Sequence, residues 1–122
     1  MMSDSISYSE NIIDLEFIAK SISDDKSVIN EILSLFKEMA REYDEKMIIA
    51  LHEKDFEAIF QAAHHFGSSC KMLGFDKLYD IVREIEDFAF SKTQFAQIQI
   101  NFLQAQKHLN IITPEIDKTL TN

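Results

Sequence analysis

Apolar and polar positions alternate along the chain in the manner of a row of helices. Leu15, Ile18, Ala19 and Ile22 recur at three- and four-residue steps behind Asp14, whose side chain can cap the first turn, so a short helix is predicted there. After the turn Ser23-Asp24-Asp25, the positions Ile29, Ile32, Leu33, Phe36, Met39, Ala40, Tyr43 and Met47 share one face of a long helix that ends near Leu51 or Glu53. Lys54 and Asp55 mark the next turn. Asp55 is the expected cap of a third helix from Phe56 to Leu73, and Gly74 stands where a left-handed residue would end it. Asp76 is the expected cap of a fourth helix, with Leu78, Ile81, Val82, Ile85 and Phe88 on one side and Lys77, Asp80, Glu84 and Asp87 largely on the other. Ser91-Lys92-Thr93-Gln94 has the form of a capping box, and Phe90 and Phe95 have the spacing of a hydrophobic staple around it. A fifth helix then repeats Phe95, Ile98, Phe102, Ala105, Leu109 and Ile112 as far as Thr113-Pro114, because proline restricts its predecessor and discourages continuation. Residues 114–122 are expected to fray beyond an ordered core that starts at residue 12.

Four long helices joined by short connections pack most economically as an antiparallel up-down four-helix bundle, with the short N-terminal helix as a lid. Composition agrees with an all-α fold. Two glycines and one proline are too few to punctuate the turns of a sheet. A single domain spanning residues 1–122 is expected, since a chain of this length buries roughly two-thirds of its unfolded surface and 46% of its residues are hydrophobic. The net charge of −9, with no basic stripe, argues against a nucleic-acid partner. Cys70 is the sole cysteine and cannot form an intramolecular disulfide. The N-terminal MMSDSISYSE lacks the pattern of a signal peptide, and no apolar run approaches the ~20 residues that span a bilayer. A cytoplasmic, monomeric protein without a membrane segment is expected.

Candidate chemistry lies on the third helix. At ~100° per residue, Phe56, Ile59, Ala63, Phe66, Cys70 and Leu73 fall on one side, and His64 points about 140° away from the middle of that stripe, toward solvent. Gln61 lies one turn before His64, Gly67 and Ser68 one turn after, and Lys71 two turns after. Glycine and serine inside a helix cost roughly 0.5–1 kcal/mol each relative to alanine, and beside an exposed histidine the return for that cost is access to the imidazole. Lys71 can offset the charge of a phosphoryl group. Phe60, about 100° from the core centre, is a large apolar side chain better suited to a partner surface than to the core. Glu84 and Glu86 on the next helix could each accept a hydrogen bond from the imidazole, and the sequence leaves the choice open. A metal site from His64, His65 and Cys70 is disfavoured, because adjacent histidines diverge by about 100° and Cys70 faces the core.

The segment His64-His65-Phe66-Gly67-Ser68-Ser69-Cys70-Lys71-Met72-Leu73-Gly74 resembles the signature of the histidine-phosphotransfer (HPt) domains of multistep two-component relays. That signature reads His, any residue, Leu, Lys, Gly, Ser, a small residue, two variable positions, an aliphatic residue, then Gly. His64 takes the phosphorylated position, Phe66 the apolar one, Ser68 the small one, and Leu73-Gly74 the closing pair. The resemblance extends through Ile13-Asp14-Leu15, Asp25-Lys26-Ser27-Val28-Ile29, Leu35-Phe36 and Ile85-Glu86. Two positions depart from it: the family's lysine is Gly67 here, and the following glycine is Ser68, so Lys71 is the candidate replacement cation.

The resemblance implies a reversible exchange in which His64 accepts and donates a phosphoryl group from and to the aspartate of response-regulator receiver domains, in a relay fed by a hybrid sensor histidine kinase. Phe60, Gln61, Gly67, Ser68 and Lys71 would then form the docking and phosphoryl environment. The receiver is expected to bring the magnesium. With no glycine-rich nucleotide loop, this chain is expected to be a carrier without cofactor, resident metal, ATP site or autokinase activity. The alternative is a helical-bundle adaptor, or a degenerate relay domain that binds receivers without accepting phosphate.

Overall fold

The computed structural model describes residues 12–121, and among them it contains five α-helices and no strand. They are α1 (Leu15–Ser21), α2 (Lys26–His52), α3 (Phe56–Met72), α4 (Asp76–Phe90) and α5 (Phe95–Thr121). Three of the starts are fixed by aspartates: Asp14 and Asp55 in the predicted cap positions, and Asp25 from within the predicted turn. Asp14 accepts from the Phe17 N–H at 2.9 Å, Asp25 from Ser27 at 2.9 Å and Asp55 from Ala58 at 3.0 Å, each contributing about 1 kcal/mol by satisfying an otherwise orphaned donor. The ends of α2, α3 and α4 share one device, in which the residue after the C-cap turns left-handed: Lys54 (φ 53°), Gly74 (φ 77°) and Lys92 (φ 55°). Behind it a backbone N–H reaches back five residues: Asp55 to Ala50, Phe75 to Cys70 and Thr93 to Phe88. The paired bonds of this Schellman turn satisfy carbonyls that the helix itself leaves open.

Two caps are not the predicted ones. Asp76 is the first residue of α4 rather than its cap; the cap position belongs to Phe75, which makes no side-chain capping bond. Phe75 is committed elsewhere, with its N–H on Cys70 and its buried ring 4.9 Å from that of Phe36, so α4 starts directly from the turn that closes α3. The capping box is likewise absent, because Ser91 is the C-cap of α4 and α5 begins only at Phe95. The staple does not form either: the Phe90 ring lies 5.7 Å from Phe60, while Phe95 meets Phe56 edge-on at 6.0 Å.

Helix α2 packs on α3, α3 on α4, α4 on α5, and α5 closes back on α2. The enclosed core holds Leu33, Phe36, Met47, Ile59, Phe66, Leu78, Ile85, Ile98 and Ile112, with Tyr43 stacked on Phe66 at 4.4 Å. Ile18 of α1 is fully buried, and its neighbour Phe17 lies over Gly74, so the short helix covers the end of the molecule where α3 stops. The predicted fraying after Thr113 is overturned, since α5 continues through Pro114 to Thr121. An internal proline costs about 3 kcal/mol. Here tertiary burial outweighs it: Ile112 and Ile116, one turn apart across Pro114, are both wholly buried, and Asp117 pairs with Lys37 of α2.

Candidate functional site

The buried stripe of α3, comprising Ile59, Ala63, Phe66 and Cys70, turns the other side of the helix outward. On that side the His64 side chain is 60% exposed, and its Nδ1 lies 3.0 Å from Oε2 of Glu86 on α4. An ionised carboxylate can only accept, so the contact selects the neutral tautomer with its proton on Nδ1, in which Nε2 is the nitrogen that bears the lone pair. The Phe60 ring, one turn earlier, stacks almost parallel to the imidazole, 5.6 Å away with 13° between planes. Phe90 of α4 stands against Phe60 in turn, while Lys71 sets its ammonium 5.1 Å above the ring of Tyr79. The three cross-helix pairs, Phe60 with Phe90, His64 with Glu86 and Lys71 with Tyr79, form a ladder. Partner numbers fall along α4 as they rise along α3.

A family model described as the Hpt domain matches residues 31–117. The chain belongs to the Hpt domain family. Comparison with curated proteins and with solved structures gives no match. The matched span contains the whole of α3 and α4, and membership in the family implies a place in histidine phosphotransfer relays.

In this Hpt domain the residues singled out around His64 are only partly brought together. Phe60 adjoins the imidazole as expected, but it is half-buried and also packs against the core, so it serves folding as well as the surface. Gln61 is exposed and donates to Glu57 at 3.0 Å, back along its own helix. Ser68 is exposed, and its hydroxyl donates to the His64 carbonyl at 3.3 Å. Gly67 departs from expectation: it is buried in the seam between α3 and α4, where a Cβ would sit 3.7 Å from Cγ1 of Val82. Its lack of a side chain therefore opens the helix seam rather than the free face of the imidazole. Lys71 is exposed, but its side chain is engaged by Tyr79, away from the His64 pair.

The remaining candidates separate. His65 is exposed and lines the groove between α2 and α3 with Glu42 and Lys46 rather than joining His64. Cys70 is wholly buried, and burial pushes its thiol well above the usual range, which makes it a small core side chain. Glu84 turns to the opposite seam, where it accepts from the Asn101 amide at 2.7 Å, leaving Glu86 as the partner of the imidazole. Sequence reasoning assigned Phe90 to a local staple and gave Arg83 no role. The helix wheel of α4 places both on the edge shared with Tyr79 and Glu86, a signal visible only once α3 is known to flank that edge.

Proposed function

We propose that this Hpt domain is a phosphoryl carrier that takes the group on Nε2 of His64 from the aspartyl phosphate of one receiver domain and delivers it to the aspartate of another. The observation that carries this reading is the exposed imidazole held through Nδ1 by Glu86, which presents the other nitrogen as nucleophile. In the forward step the Nε2 lone pair attacks phosphorus in line with the bond to the receiver's carboxylate. That P–O bond breaks and its electron pair stays on the carboxylate. The ring becomes an N-phosphorylated imidazolium whose Nδ1–H faces Glu86, and the carboxylate offsets the positive charge as it develops. Reversal returns the group to a receiver.

The four long helices are taken as an antiparallel up-down bundle with α1 as its lid, which the closed ring of helix contacts and the short connections support. Partners are receiver domains and a hybrid sensor kinase; the magnesium belongs to the receiver, and this chain acts as a monomeric cytoplasmic carrier without ATP chemistry of its own. Among the described residues no helix is long and apolar enough to cross a membrane.

The test is transfer from a phosphorylated receiver to the purified protein. The label should be acid-labile and alkali-stable, absent in His64→Gln and largely retained in His65→Gln. Label persisting on His64→Gln refutes the site.

A further inference from the structure

The ladder between α3 and α4 has a regular register. Residue numbers sum to 150 in the three side-chain pairs along the exposed edge, 60 with 90, 64 with 86 and 71 with 79, so the same register sets position 83 on that edge across from position 67, next to the buried Val82 that a Cβ at 67 would touch. Position 67 is glycine, with no side chain to fill the seam, and position 83 is arginine. This rung lies one turn from the His64–Glu86 rung, about 4.5 Å along the helix axis, within the span of an arginine side chain. Lys71, the other cation on this edge, is two turns away, about 10.5 Å, and is held over Tyr79.

Phosphorylation of His64 sets a group with about two negative charges on the ring whose other nitrogen already faces the Glu86 carboxylate, in a protein whose net charge is −9. The charge balance calls for a mobile cation close by. Arg83 is exposed, and among the described residues it is held by surface contacts on its own helix, with Nε 3.4 Å from Asp87 and Nη1 3.1 Å from the Tyr79 hydroxyl. Pairs of this kind exchange readily with water and with a stronger anion, and a phosphoryl group offers oxygens that match the guanidinium fork.

Building on the carrier reading above, we propose that Arg83 is the phosphoryl-binding cation of this site: when Nε2 of His64 takes the PO3 group, the guanidinium leaves Asp87 and Tyr79, crosses above Gly67 and pairs with the phosphoryl oxygens. The cation thus comes from α4 rather than from the helix that bears the histidine.

The test compares wild type, Arg83→Ala, Arg83→Lys and the double variant Gly67→Lys/Arg83→Ala. The initial rate of phosphorylation by a phospho-receiver and by phosphoramidate is read at low and high salt, with melting as a control of folding. Arg83→Ala should slow labelling about fivefold at low salt, the factor for one pair of unit charges about 4 Å apart in a water-like dielectric, and the deficit should shrink as salt screens it. Arg83→Lys should recover part of the rate. The double variant should recover it from the opposite helix, since a Cβ at position 67 makes only ordinary contact with Val82. Absence of label on wild type with both donors overturns the carrier reading and this proposal with it. Labelled wild type with an unchanged Arg83→Ala, or a deficit indifferent to salt and to Gly67→Lys, overturns this proposal alone.

Discussion

Gly74 joins two constraints that a substitution can pull apart. Its φ of 77° closes α3 with a left-handed residue, and a Cβ added there would stand 2.9 Å from Cδ2 and 3.1 Å from Cε2 of Phe17. The left-handed conformation costs an L-residue about 1–2 kcal/mol, of which the reduced freedom of alanine in the unfolded chain returns about 0.4–1, leaving about 1 kcal/mol for the backbone. The contact with Phe17 adds about 1–2 kcal/mol, toward the lower part of the range for overpacking, because this ring is 38% exposed and can turn outward. Gly74→Ala should therefore destabilise by about 2–3 kcal/mol in the wild-type background but by only about 1 kcal/mol when Phe17 is already alanine. Urea unfolding of the four proteins of the cycle, followed by helical circular dichroism, gives the coupling directly. Strictly additive effects would refute the claim that α1 is seated on the glycine. Because the His64 ladder lies on the helices themselves, phosphoryl transfer well below the melting transition should stay at the wild-type rate in all four.

The Tyr43 hydroxyl is sealed in the core with no hydrogen-bond partner among the described residues, and burial pushes the phenol far above its usual range, so Tyr43→Phe should leave stability unchanged or raise it by about 1 kcal/mol in a urea melt. His108 is buried near Lys77, and desolvation followed by that charge holds its folded-state value below the ordinary 6.5. Above this ordinary value the ring is neutral in both states; as pH falls through it the unfolded chain takes a proton that the folded one refuses, so stability drops. His108→Gln should flatten that part of the profile, read as urea stability while pH falls from about 7 through the ordinary histidine value. Phe90 is 74% exposed next to Phe60, so Phe90→Asp should leave melting almost unchanged while weakening receiver binding about tenfold; Phe60→Asp should weaken both, because Phe60 also packs on the core.

The periodic positions were enough to place all five helices, because burial follows the 3.6-residue period wherever a helix has one wet face. Asp14, Asp55 and Gly74 act locally, and their roles were legible for that reason, whereas Asp25 was legible only as part of a turn and its bond to the Ser27 N–H came from the structure. Pro114 was misread because its local penalty is visible in the sequence, whereas the burial of Ile116 that overrides it depends on the whole fold. Asp76 and Ser91 failed as caps for a related reason: the turns that close α3 and α4 had already committed the backbone around them. At the site, the outward face of His64 followed from one helix alone. The choice of Glu86 over Glu84, the burial of Gly67 and the placement of Arg83 depend on the angle at which α4 meets α3, and one sequence does not encode that angle in any local pattern.

The whole ladder lies between Phe60 and Phe90, on two helices joined by a three-residue turn, and the imidazole and its carboxylate are only 22 residues apart. Closing so short a loop sacrifices little chain entropy, and contacts of low sequence separation tend to form early in folding. The histidine and glutamate can thus find each other within their hairpin while α2 and α5 are still docking. Changes in those outer helices will alter how long the assembled protein survives far more than how the His64 and Glu86 side chains meet.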